Sequence, residues 1–238
     1  MIQNIETIYQ DDDIIVVSKP SGITVIPDQY TNQSKTLVGI LESQLSQKIW
    51  IVHRIDKDTT GVLVFAKNAE SHRSISMQFE NCQVYKKYIA LLSGVLEEKE
   101  GTINKPILIS GRNISIDITG KESITNFKVL ERFKSYTLVE AVPLTGRRHQ
   151  IRIHFWSLGH PLAIDAEYGL SDPIMLSALK RNYKVKKYKT EKPLISRLTL
   201  HAQSLTLILP SSGIGKTFES NLPKDFELVL KQLKKYAR

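Results

Sequence analysis

HRIDKDTTGVLVFAK, residues 53–67, is the stretch on which a reading of the chain turns. Its second half, Val62 to Ala66, is an almost unbroken apolar run, the pattern of a strand buried on both faces. Its first half crowds His53, Arg54, Asp56, Lys57 and Asp58 between that run and a shorter apolar one, Ile49 to Val52. A carboxylate and an arginine placed where a strand meets a turn can be held rigidly with their tips in a cleft.

Upstream, Ile5–Tyr9 and Ile14–Ser18 are β-rich and flank Gln10-Asp11-Asp12-Asp13. Three adjacent carboxylates suit a hydrophilic hairpin turn better than a metal site. Lys19-Pro20-Ser21-Gly22 ends the second run, and Ile23–Ile26 is expected to resume extended structure. Thr36–Gln47 reads as a helix, with Leu37, Ile40, Leu41 and Leu45 on one side. Downstream, Glu70–Phe79 is helical and Tyr85–Leu92 a strand, while Ser123–Phe133 and Tyr136–Val142 alternate as antiparallel neighbours. Thr145-Gly146 opens a helix from about Arg148 to Leu158, with Ile151, Phe155 and Leu158 at helical spacing and Gly159 as its stop. Ser196–Leu209 is a strand region, and Pro223–Tyr236 an amphipathic helix. Meandering strands with helices at intervals predict an α+β fold with a mixed, largely antiparallel central sheet flanked by helices and loops. With no repeat and no low-complexity linker, residues 1–238 are expected to form a single domain.

The chain has 238 residues, 41% hydrophobic and 24% charged, with a net charge of +9. Such a surplus favours a polyanionic partner: RNA, DNA or an anionic membrane. A lone cysteine, Cys82, excludes a disulfide within the chain and leaves no thiolate cage for a metal; a reducing, cytoplasmic setting fits. Cys82 itself is expected to be a small buried thiol. MIQNIETIYQDDD lacks the basic start and apolar run of a signal peptide. No stretch approaches the roughly 18 apolar residues of a membrane span.

Two apparent motifs are decoys. Gly213-Ile214-Gly215-Lys216-Thr217 resembles the end of a phosphate-binding loop, but Pro210 stands where the motif requires glycine. His149 and His154 are five apart, on different helix faces, with no acidic partner between them to complete a metal site. One segment does stand out. KRNYKVKKYKTEK, residues 180–192, holds seven Lys or Arg against one Glu, with Tyr183 and Tyr188 interspersed. Cations interleaved with aromatics suit phosphate contact and base stacking.

Three segments carry the wrong residues for mere packing: His53 to Gly61, Lys86-Lys87-Tyr88-Ile89-Ala90-Leu91, and Gly146-Arg147-Arg148-His149-Gln150-Ile151-Arg152. On a helix His149 and Arg152 would share a face. HRIDKDTTGVLVFAK resembles the signature of the RluA-type pseudouridine synthase family, and four other blocks fall in that family's order. These are SKPSGITVIP, KKYIALLSG, LTGRRHQIRIHFWSLGHPLAIDAEYG and RLTLHAQSLTL. The usual Thr-Ser-Gly is here Thr59-Thr60-Gly61, and the usual Gly-Asp is Ile164-Asp165, which puts the local backbone there in question.

The resemblance implies an RNA pseudouridine synthase fold and activity, isomerising uridines of ribosomal or transfer RNA with no cofactor and no metal. It implies Asp56 as the catalytic carboxylate, attacking the sugar, attacking the base, or assisting departure of uracil. It implies Tyr88 packed on the flipped base and assisting proton removal, Arg152 paired with Asp56, and Arg54 in the space the base vacates. Arg147, Arg148 and His149 become phosphate contacts or supporting groups; the composition of residues 180–192, not the resemblance, adds Lys184, Lys186, Lys187 and Lys189 as expected RNA contacts. The expected protein is a cytoplasmic monomer without a separate N-terminal RNA-binding domain and without membrane attachment. The competing reading is a non-catalytic RNA-binding or ribosome-assembly protein on a synthase scaffold, against which the joint presence of Asp56, Tyr88 and Arg152 argues.

Neutralising Lys184, Lys186, Lys187 and Lys189 together is expected to weaken RNA binding. The slope of log K against log salt should fall by about 0.7 for each true phosphate contact. An unchanged slope would make the segment an ordinary solvated surface.

Overall fold

The computed structural model of the chain describes residues 4–27, 31–183 and 190–237. The strands and helices of the first half, in chain order, are β1 (Glu6–Gln10), β2 (Ile14–Lys19), α1 (Leu37–Leu45), β3 (Trp50–Ile51), β4 (Thr60–Ala66), α2 (Ala69–Glu80), β5 (Tyr85–Ser93), β6 (Glu100–Asn104), β7 (Ile107–Ser110) and β8 (Asn113–Ile116). There follow β9 (Ile124–Arg132), β10 (Tyr136–Pro143), α3 (Gln150–Trp156), α4 (Leu176–Leu179), β11 (Leu200–Ile208), β12 (Gly215–Glu219) and α5 (Lys224–Tyr236). The fold is α+β with a mixed, largely antiparallel sheet, as the pattern of runs predicts.

The chain divides into two compact units. One holds residues 1–88 and 201–221, the other 89–200 and 222–238. In the first, β1 and β2 form the expected hairpin around the acidic turn, where Asp11 accepts from the backbone N–H of Asp13 and Ile14. β2 then pairs antiparallel with β4, from Ile14↔Ala66 to Lys19↔Gly61. Every residue of β4 is buried, because apolar clusters cover both of its faces. Leu63 and Phe65 join Leu37 and Leu41 of α1 on one side, and Val62 and Val64 join Ile75 and Leu205 on the other.

Two expectations in this unit need correction. Ile23–Ile26 forms no ladder; the Thr24 and Val25 carbonyls instead accept from the Leu37 and Val38 N–H, the otherwise orphaned donors at the start of α1. Cys82 is exposed rather than buried. It occupies the left-handed position just past α2 (φ 55), where its N–H reaches the Phe79 carbonyl and the Gln83 N–H reaches that of Gln78. That is a helix-terminating motif in which glycine is more usual.

In the second unit β10, β9 and β6 run antiparallel. Leu91, Phe133, Ile164, Phe226 and Val229 are among the residues of its core, so α5 buries the apolar stripe read from the sequence. The β7–β8 hairpin was not read in advance, although ILISGRNISI alternates and turns at Gly111 (φ 62). β6, α4 and β12 were likewise missed. β12 begins within the Gly213–Thr217 stretch, at Gly215, and pairs antiparallel with β11.

β4 and β11 form a parallel pair, with Thr60 opposite His201 and Gly61 opposite Ala202. Gly61 has φ +112, and a Cβ on it would stand 2.1 Å from the Ala202 carbonyl oxygen. Both the backbone conformation and the close approach require glycine. Gly61→Ala is expected to lower stability by about 3 kcal/mol or more through strain and overpacking. Urea denaturation checks this; a loss below about 1 kcal/mol would mean that the two strands separate easily.

Candidate active site

Asp56 lies in the loop between β3 and β4, and the carbonyls around it determine where it stands. The Lys19 side chain is 0% exposed. Its Nζ donates to the carbonyls of Lys57 (2.6 Å), Thr59 (2.9 Å) and Pro20 (3.0 Å). An ammonium has three hydrogens, and three loop carbonyls receive them. The Gly22 N–H adds a bond to Lys57 O, and the Thr59 N–H closes the turn onto Asp56 O. Thr60 Oγ1 meets His201 Nδ1 at 2.9 Å, while His201 Nε2 faces Ser220 O at 3.1 Å. A carbonyl can only accept, so Nε2 carries the proton and Nδ1 receives the Thr60 hydroxyl.

His53 is neutral for a related reason. Its Nε2 accepts the Val64 N–H at 3.2 Å, and its ring stacks on Phe79 at 4.4 Å. Burial, reinforced by the charge of Lys86, lowers its pKa to about 3. His53 therefore orients the chain rather than carrying charge. Tyr88 is pushed well above the ordinary tyrosine value, first by burial and then by the negative charge of Asp56. The phenol thus stays protonated, which suits packing and hydrogen bonding better than action as a phenolate base. Arg54 is exposed beside this loop.

In the second unit the polar residues before Arg152 seat α3. Thr145 Oγ1 accepts the Ile124 N–H and donates to Gln150 Oε1. Gln150 Nε2 donates to Ile124 O and Thr125 Oγ1. The Thr125 hydroxyl then meets His154 Nδ1 at 2.9 Å, and His154 Nε2 donates to Lys105 O at 3.0 Å. Burial lowers the His154 pKa, in keeping with a neutral ring whose two nitrogens both hold structural bonds. α3 runs only from Gln150 to Trp156, shorter than the spacing suggests, and residues 150–155 are all buried. Leu158 is exposed, and Gly159 (φ +79) ends the segment as expected.

His149 is not on the helix. It takes a left-handed conformation (φ 55) at the position before it. It nevertheless meets Arg152 through shared partners, which are residues the sequence reading passed over. Arg152 places Nε on Asp165 Oδ2 and Nη2 on Asp165 Oδ1, both at 2.7 Å. Nη2 also reaches Glu167 at 3.0 Å, and the guanidinium lies 5.1 Å from the Tyr168 ring centroid. His149 Nδ1 stands 3.0 Å from Tyr168 Oη and 3.4 Å from Glu167. Burial pushes the Asp165 carboxyl up, but the hydrogen bonds and charge of Arg152, with the N–H groups of Glu167 and Tyr168, outweigh it and hold the carboxyl below its ordinary value. Burial and the Glu167 charge raise Tyr168 to about 12. Ile164, where the family has glycine, shows no positive φ and packs into the core.

Arg147 donates Nε to Glu122 O, and Arg148 is exposed. Lys184, Lys186, Lys187 and Lys189 lie outside the described residues. No helix among the described residues is long and apolar enough to cross a membrane.

Residues 13–157 match the model of a family described as RNA pseudouridylate synthase. The chain is 36% identical to ribosomal large subunit pseudouridine synthase D of Nitrosomonas europaea, the match covering 97% of this chain and 65% of that protein. It is 34% identical to ribosomal large subunit pseudouridine synthase C of Buchnera aphidicola, over 98% of this chain and 72% of the relative. Among solved structures, human RNA pseudouridylate synthase domain containing 4 superposes with a TM-score of 0.73 at 25% identity, covering 96% of this chain and 93% of the other. The chain thus spans just under two thirds of the first relative's length.

Lys19→Met is expected to loosen the Asp56 loop more than it lowers global stability. Three carbonyls lose a donor, at about 1–3 kcal/mol each, but the desolvation cost of a buried ammonium, several kcal/mol, is relieved. The net loss should be about 2 kcal/mol, while amide exchange at residues 57–59 accelerates at least roughly tenfold relative to β4. Unchanged exchange there would show that Lys19 does not hold the loop.

Proposed function

The chain belongs to the RNA pseudouridylate synthase family, and from that premise we propose that it isomerises selected uridines in RNA with Asp56 as the catalytic carboxylate. In this reaction the bond from uracil N1 to ribose C1′ breaks, the base turns, and C5 bonds to C1′. The C5 proton leaves and N1 gains one. No atom is added and no electron is transferred, so the chemistry requires neither redox cofactor nor metal. The relatives' names favour ribosomal RNA as substrate, with transfer RNA the other choice. Residues 1–238 act as one catalytic domain, as a monomer, in the cytoplasm.

The observation that carries this reading is the joint presence of Asp56, Tyr88 and Arg152, each inside the block of sequence where the family has its catalytic groups. A stacked uridine must leave its helix before it can react, at a cost of roughly a few kcal/mol. Arg54, exposed beside the Asp56 loop, suits the vacated space. Tyr88, held as a phenol, suits the face of the extruded base. Arg152 is assigned to the carboxylate, where a guanidinium favours the ionised form. Arg147, Arg148 and His149, with the lysines of residues 184–189, are assigned to the RNA backbone.

Asp56→Asn keeps the shape of the side chain and removes its charge. It should abolish pseudouridine formation on total RNA from cells lacking the gene while leaving RNA affinity nearly intact. Turnover within about tenfold of wild type would refute the role of Asp56, since loss of a catalytic group costs more than that. Absence of activity in the wild-type protein on every RNA fraction would favour the non-catalytic reading.

A further inference from the structure

The cations at the end of α5 are arranged in a way that packing does not require. The core takes Phe226, Val229, Leu230 and Leu233 of this helix, and Lys231 and Lys235, four residues apart, are left on its solvent face. Leu176 and Leu179 pack α4 against the same core. The turn that ends α4 is Lys180-Arg181-Asn182-Tyr183. Its Tyr183 N–H donates to Lys180 O at 3.1 Å, and Asn182 takes a left-handed φ of 58, which asparagine tolerates. Lys180 Nζ stands 5.9 Å from the Tyr183 ring centroid and 5.5 Å from that of Tyr236, while Lys235 Nζ lies 5.1 Å from the Tyr236 ring. Arg181 is exposed on the same turn. Among the described residues no carboxylate pairs with Lys180, Arg181, Lys231 or Lys235; of the neighbouring cations, Lys234 has one, Glu131 at 3.2 Å.

Lysines in a last helical turn suit the helix dipole. That accounts neither for Lys180 and Arg181, which come from another element, nor for the two rings. An ammonium over a ring face keeps N–H groups free, because its three hydrogens cannot all point at one ring. Four cations without carboxylates, set around two half-buried phenols, suit a phosphodiester strand with an unpaired base. We propose that the C-terminal end of α5 and the turn at residues 180–183 form a docking surface for the backbone of the substrate RNA. Lys180, Arg181, Lys231 and Lys235 take phosphates, and Tyr183 and Tyr236 stack on an unpaired base. This rests on RNA being the substrate, as proposed above. A bilayer fits the surface less well, because an interfacial helix inserts its apolar face and here the core holds that face. None of the six residues lies in the five blocks that resemble the family, so their contacts bear on which RNA is held rather than on the isomerisation itself.

The test is the affinity for a fluorescently labelled single-stranded RNA of mixed sequence, measured across salt concentrations, with residues 184–189 unchanged throughout. Arg181→Gln, Lys231→Gln and Lys235→Gln combined should lower the slope of log K against log salt by about 2, at about 0.7 for each contact. Lys35→Gln, Lys99→Gln and Lys128→Gln combined remove the same charge from exposed positions elsewhere and should lower the slope by less than about 0.7. Equal falls would overturn the proposal, since total charge would then account for both. Tyr183→Leu with Tyr236→Leu should weaken binding roughly fivefold to a hundredfold at unchanged slope; wild-type affinity in this variant would overturn the stacking role. If the tyrosine variant does not fold, the cation variant decides, because all of its changes are at exposed positions. A wild-type protein that binds neither this RNA nor ribosomal RNA would remove the proposed substrate and this inference with it. If wild type binds RNA and the cation variant matches it in affinity and slope, only this inference fails. Should the cation variant instead lose binding to phosphatidylserine-containing vesicles while holding RNA as wild type does, the surface is a membrane site and the proposal is overturned.

Discussion

An ammonium group shut off from water governs the loop that carries Asp56. Lys19 has no exposed surface, and its burial is tolerable only because backbone carbonyls surround the charge. Those carbonyls belong to Pro20 and to Lys57 and Thr59, the residues on either side of the turn that follows Asp56. The β2–β4 register places Lys19 opposite Gly61, and Gly61 in turn admits the close approach of β11. Strand pairing, glycine and buried charge thus fix one another, and the loop has little freedom left. In the role proposed for Asp56, a carboxylate held this way approaches its reaction already oriented, which is where much of the rate advantage of a preorganised site arises.

The second unit reaches rigidity with the opposite charge. There a buried carboxylate, Asp165, holds a cation, and the surrounding hydroxyl, amide and imidazole groups close on one another. Thr145, Gln150, Thr125 and His154 form a chain in which each hydrogen has an acceptor. A half-satisfied chain of this kind would be worse than an apolar core. The motif residues therefore divide into two kinds. Lys19, His53, Gln150 and His154 hold backbone, while Asp56, Tyr88 and Arg152 are the residues to which the proposed chemistry is assigned.

That division was only partly legible from the residues. Val62–Ala66 announced a strand buried on both faces because nothing in it tolerates water, and Gly159 announced a helix end because its φ is one other residues avoid. His149 misled, since helical spacing cannot register that the residue before a helix has turned left-handed. Cys82 misled because composition says that cysteine is buried, while the end of α2 needed a left-handed residue at that position. Lys19 is legible as the end of a strand and as part of the SKPSGITVIP block, but neither tells that its ammonium is buried among loop carbonyls. Asp165 was noted as a remnant of Gly-Asp, but its partner is 13 residues earlier on another element, and pairing across that distance is a property of tertiary structure alone.

The imidazoles that hold backbone have a consequence for the conditions the protein tolerates. His53 accepts the Val64 N–H and His154 accepts the Thr125 hydroxyl, so protonating either ring destroys the bond it makes. In the unfolded chain a histidine takes up its proton near pH 6.5. In the folded chain His53 does so only at about 3, and His154 is displaced in the same direction. Between those values the unfolded state binds more protons than the folded one, so stability is complete above about pH 6.5 and drains away as pH falls toward 3. Acid therefore begins to act as a denaturant here while ordinary carboxylates, which titrate near 4, are still ionised.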